Sequence, residues 1–362
     1  MPAAPSRHST AVENRAETPP QKLAGIQALR GIAALMVVGF HALIYHYAAV
    51  PNGSLPRWAF FGTAGVDLFF VISGFVMVYV TRARFGSPAH QANFLLDRAA
   101  RIYPPYWIAT LPVIAACLFF PGLTVIALNP RTLADSLLLL PSRADFPLLR
   151  VGWTLIHEMF FYVVFSFFLL GKRETLWKKL AAWAFATVAL FLFLPQHWKA
   201  LPALKLVSSF YSLEFIGGGL LALLPWPTGI SRHGGVLLGG GVLLLGGVFA
   251  LPGPWPVGNP LLPLLLGVPC CLIVAGAICL EDRFRFFHWN VLQRTGDASF
   301  QIYLWHNTVL SAAARAMLHT PLSPYARLPL AVALALGVSY LAHLYFEKPL
   351  LKVTRRWRIT VR

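Results

Sequence analysis

Apolar runs long enough to cross a bilayer recur from one end of this chain to the other, and they leave few fold classes open. A hydrocarbon core of about 30 Å takes about 20 residues of helix. Within lipid, every backbone polar group must also be bonded inside the spanning element. LLPLLLGVPCCLIVAGAICL (261–280) is such a run, and GIAALMVVGFHALIY (31–45) and VDLFFVISGFVMVYV (66–80) form the cores of two more. Only 12% of the 362 residues are charged, against about 25% in a soluble domain. The chain therefore reads as all-α, a polytopic integral membrane protein of about ten transmembrane helices.

The spans fall near 25–47, 60–80, 103–120, 151–170, 180–194, 206–224, the glycine-rich 233–247, 261–280, 295–318 and 328–346. Pro104 and Pro105 are expected in the first turn of the third, where a missing N–H does least harm. The glycine-rich run reads as close helix packing through small residues rather than a phosphate loop, because no strand or polar turn surrounds it. With ten spans and alternating loops, one side collects 21 Lys and Arg and the other 7. That bias predicts both termini in the cytoplasm, and the net charge of +17 then reflects cytoplasmic loops meeting anionic lipids rather than nucleic acid. Residues 1–22 read as a disordered polar tail without a signal peptide, 23–350 as the membrane domain, and 351–362 as a basic tail. The four cysteines lie in apolar runs, so neither a structural disulfide nor a metal cluster is expected.

The first span carries two ionisable residues, Arg30 and His41. Eleven residues at about 100° each return His41 to within roughly 20° of Arg30 and lift it about 16 Å along the axis. One helix face thus holds a cation near the cytoplasmic surface and an imidazole deep in the membrane. Counting rise per residue puts Asp67, Glu158 and His306 in the layer of His41, on three other helices. Ionisable groups in a bilayer are costly unless paired or facing a cavity, so this layer predicts a polar site between helices. Glu214 is expected as an acceptor behind it or as a packing group, and His157, about 100° round its helix from Glu158, as a packing neighbour. A second layer at the cytoplasmic face holds Arg30, Arg98 and Arg101. The last two are three apart, so on a helix they project from one face and can grip phosphates in bidentate fashion. A ligand with a phosphorylated head and a long thin arm would join the layers, and coenzyme A thioesters have that shape. A transporter or flippase with a buried proton relay is the rival class on these grounds.

The arginine–ten residues–histidine spacing of Arg30 and His41, GVDLFFVISGF (65–75), the Arg98-x-x-Arg101 pair, GWTLIHEMFFY (152–162), GDASFQIYLWHN (296–307) and FEKPL (346–350) together resemble the membrane acyltransferase 3 family. The likeness is greatest to its short bacterial members that acetylate exopolysaccharides. That resemblance implies a ten-helix domain in the bacterial cytoplasmic membrane. It also implies acetyl-CoA as donor without a metal, and a glycan or lipid-linked sugar hydroxyl as acceptor. Arg30, Arg98 and Arg101 would contact the donor, and His41 would be the base. Glu158, with Asp67, would orient the imidazole, and Glu214, Tyr303 and His306 would stand behind them.

Overall fold

The computed structural model describes residues 23–50, 52–120, 128–142, 146–225, 230–251, 259–281, 283–318 and 320–354. The expected tail at 1–22, the end of the basic tail and most of PGPWPVGNP lie outside the described residues. Every regular element among the described residues is helical. In chain order these are α1 (Ala24–Ala48), α2 (Ala64–Val80), α3 (Pro88–Phe119), α4 (Pro130–Leu137), α5 (Gly152–Phe168), α6 (Leu176–Phe193) and α7 (Gln196–Lys199). They are followed by α8 (Pro202–Val207), α9 (Tyr211–Leu223), α10 (Gly234–Ala250), α11 (Leu262–Cys279), α12 (Asn290–Met317), α13 (Pro324–Ala342) and α14 (Lys348–Thr354). Among the described residues, seven helical segments are long and apolar enough to cross a membrane, and α5 and α10 are shorter apolar helices. Their outward faces are apolar, with Phe185, Val236 and Leu243 about three-quarters exposed, as lipid-facing residues should be.

α1 runs along α12, and α2 along α9; α10 packs on α11, and α12 on α13. Glycines set two of these distances. A side chain at Gly218 would strike the carbonyl oxygen of Val71, and one at Gly74 that of Phe215, so α2 and α9 touch backbone to backbone. Gly296 likewise meets the carbonyl of Gln27, which draws α12 against α1. Small residues serve this purpose in lipid, where no hydrophobic drive holds helices together. The carboxylate of Glu281 accepts from the amides of Ala24 and Gly25, covering donors that the first turn of α1 cannot bond internally.

Three local expectations change. α3 does not begin at residue 103. Ser87 caps it, its Oγ accepting from Ala89 N at 3.2 Å, with Pro88 in the first turn. Pro104 and Pro105 therefore lie inside a 32-residue helix. They remove the amides that would bond the carbonyls of Ala100 and Arg101, and the flanking helical sequence still carries α3 through. The expected span at 206–224 is broken between α8 and α9, which puts Glu214 in the first turn of α9. In α10, Gly241 does meet the α11 backbone, at Pro269 O, and Gly234 meets Cys279 and Leu280; Gly235, Gly239, Gly240, Gly246 and Gly247 face open space. Close packing accounts for two glycines of that run and not for the rest.

Candidate active site

α1, α2, α3, α5 and α12 surround a cleft of about 830 Å³, counting the space open at its mouth. Arg30, Arg98, Arg101 and Glu158 all line it. Arg98 and Arg101 reach it because α3 is continuous through them, so a spacing of three puts both on one face. The Arg98 guanidinium lies over the rings of Phe94 and Tyr162, at 5.6 and 5.9 Å. Its Nε is buried, with no hydrogen-bond partner among the described residues. Glu158 accepts hydrogen bonds from Ser73 Oγ at 3.1 Å and from the Tyr162 hydroxyl. Three guanidiniums against this one carboxylate leave the lining of the cleft net positive. A further carboxylate, Glu347, lies close enough to act on Arg30. It is bonded to His343 Nδ1 at 2.7 Å across the π-helical turn His343–Glu347.

At the far end of the cleft stands Tyr303, whose hydroxyl is 2.8 Å from Thr154 Oγ1 and 3.3 Å from Val151 O. Its ring packs on Phe69 and on His306, with centroids 5.9 and 5.8 Å apart. Beyond Tyr303 the two imidazoles meet: His306 Nε2 lies 3.3 Å from His41 Nδ1, with ring centroids 5.0 Å apart. His306 is fully buried and His41 only partly so. One turn further along, Tyr45 donates to Asn307 Oδ1 at 3.1 Å.

The description "Acyltransferase domain" matches residues 23–344. The chain belongs to this acyltransferase family. A relative, the exopolysaccharide production protein ExoZ of Rhizobium meliloti strain 1021, is 34% identical over 83% of this chain and 92% of its own length. Protein 2 in the picA locus of Rhizobium radiobacter is 30% identical over 48% of this chain and 95% of its own. No solved structure matches significantly. Family membership decides between acyl transfer and the transporter class.

Within the acyltransferase the expected residues fall into three groups rather than two layers. Arg30, Arg98, Arg101 and Glu158 share the cleft, joined by Tyr303 at its end. His41 and His306 form a pair beyond it. Asp67 and Glu214 meet each other between α2 and α9, where no described donor reaches either Glu214 oxygen. The expectation that Glu158 and Asp67 orient the His41 imidazole is thus corrected. Among the described residues no carboxylate bonds His41; its partners are Val37 O and His306. Glu158 belongs with the arginines. His157 sits in an aromatic nest of Phe70, Trp153, Phe161 and Tyr211, a packing role as expected. Ser73, Thr154 and Tyr162 are cleft residues that sequence reasoning passed over. For Tyr162 a signal was present, since four residues after Glu158 it shares that helix face.

Proposed function

We propose that this acyltransferase moves an acetyl group from cytoplasmic acetyl-CoA to a hydroxyl of a cell-surface or lipid-linked glycan, in the bacterial cytoplasmic membrane. On this reading ten helices span the membrane and both termini are cytoplasmic. The observation that carries it is the convergence of Arg30, Arg98 and Arg101 on one cleft, with His41 eleven residues beyond Arg30 on the same helix. Guanidiniums suit phosphates, which they bind in bidentate fashion, and a cleft of this charge suits the phosphorylated head of a coenzyme A thioester. The likeness to a protein of exopolysaccharide production supports a glycan as acceptor.

In the reaction the acceptor O–H gives its proton to His41 as its oxygen bonds the acyl carbon. The carbon–sulfur bond then breaks, and the departing thiolate takes the proton from His41. Arg30, Arg98 and Arg101 hold the donor throughout. Glu158, fixed by Ser73 and Tyr162, moderates the mutual repulsion of the arginines. Tyr303 and Phe69 stand between the cleft and the histidines, so the acyl arm must pass them.

The test is transfer of labelled acetyl from acetyl-CoA to a lipid-linked oligosaccharide by the purified protein. His41→Ala should abolish turnover while leaving acetyl-CoA binding intact. Near-native turnover in the folded variant would remove His41 as the base.

A further inference from the structure

Among the described residues no carboxylate stands behind His41, so something else must hold its ring and choose which nitrogen is the base. Two backbone contacts favour one placement of the protons. His41 Nδ1 lies 2.9 Å from Val37 O, and His306 Nδ1 lies 3.0 Å from Ile302 O. A carbonyl oxygen only accepts, so each Nδ1 must carry the hydrogen. A neutral imidazole has one N–H, and each Nε2 is then bare. The remaining contact is the 3.3 Å approach of His306 Nε2 to His41 Nδ1. With His306 Nε2 bare, His41 Nδ1–H donates to it as well as to Val37 O, a shared bond of two acceptors. The opposite tautomers would set a lone pair against a carbonyl at both histidines.

We propose that His306 is the positioning residue of the base. Its Nε2 accepts from His41 Nδ1–H and holds the imidazole in the tautomer whose Nε2 receives the acceptor proton. This rests on His41 being the base, as argued above. In catalytic triads a carboxylate fills this place. Here the place lies inside a membrane domain, His306 is fully buried, and a neutral imidazole is far cheaper to bury than a charge. When Nε2 takes the acceptor proton, both existing acceptors strengthen their hold on Nδ1–H, and the positive charge spreads toward His306 without any proton leaving the pair. When the thiolate takes the Nε2 proton, the starting tautomer returns.

Two measurements on the full-length protein in lipid nanodiscs test the proposal. The first is the ¹⁵N spectrum of histidine-labelled enzyme without substrate, with His41 assigned by comparison with His41→Gln. His41 should show a protonated Nδ1 and a bare Nε2; a proton on Nε2 overturns the proposal whatever the enzyme's activity. The second compares His306→Leu with His306→Gln, whose side-chain oxygen can still accept from His41. His306→Leu should lower kcat about 100-fold, the lower range for a general base, with KM for acetyl-CoA within twofold of wild type. His306→Gln should recover most of that loss. Equal kcat in His306→Leu and wild type, or no recovery in a folded His306→Gln, overturns it. If His41→Ala keeps its turnover, the base assignment fails instead, and the spectrum still reports the tautomer.

Discussion

Replacing Arg98 with alanine should weaken acetyl-CoA binding about 10- to 100-fold and leave turnover at saturating donor nearly unchanged. The guanidinium is held by two aromatic faces and its Nε is enclosed without an acceptor among the described residues. Within the cleft it stands with Arg30 and Arg101 against Glu158. Hydrogen bonds to charged groups contribute about 1.5–3 kcal/mol, and every 1.4 kcal/mol is about tenfold in affinity, which sets the range. A contact far from the reacting carbon stabilises ground and transition states alike, so the loss belongs in KM and not kcat. Arg98→Lys keeps the charge but not the planar fork, and should fall between wild type and alanine. The assay is equilibrium binding of radiolabelled acetyl-CoA to detergent-solubilised enzyme, with initial rates over a range of donor. An Arg98→Ala variant with wild-type Kd and KM would refute the reasoning, and so would one whose only defect is in kcat.

Glu158→Gln keeps an oxygen for Ser73 and Tyr162, so it should cost far less turnover than His41→Ala; equal losses in steady-state kinetics would return Glu158 to the base. Gly218→Ala would drive a methyl into the Val71 carbonyl and should destabilise by about 1–3 kcal/mol, whereas Gly239→Ala, facing open space, should be neutral or stabilising by up to about 1 kcal/mol. Thermal unfolding in one detergent should place Gly218→Ala below wild type and Gly239→Ala at or above it. Glu281→Ala uncovers the first amides of α1 and should cost about 0.5–2 kcal/mol, the range for lost helix caps, seen as faster hydrogen exchange at Ala24 and Gly25.

Much of the site was legible because its signals are local. A spacing of eleven puts Arg30 and His41 on one helix face in any α-helix, and a spacing of three does the same for Arg98 and Arg101. Depth from rise per residue was less reliable, because it depends on where a helix starts and says nothing about its neighbours. Depth and motif both set Asp67 and Glu158 beside His41, yet Glu158 lines the cleft with the arginines and Asp67 meets Glu214. Depth puts His306 in the layer of His41, where the two rings do meet, but nothing along the chain says that Tyr303 stands at the end of the cleft. The expected start of α3 rests on Pro104 and Pro105 alone, whereas the helix begins at the cap formed by Ser87 and Pro88 and runs on through both prolines.

The sequence by itself determined a helical membrane protein, the acyltransferase resemblance and the arginine–histidine ruler along α1. Each depends on composition or on spacing within one helix, which 3.6 residues per turn converts directly into geometry. Only the tertiary structure decided which ionisable groups are partners. Contacts between helices depend on which faces meet, and those faces are set by backbone approaches such as Gly218 on Val71 and Gly296 on Gln27. Those approaches gather Glu158 with the arginines, close Asp67 on Glu214, and leave His41 with a histidine where a carboxylate was expected.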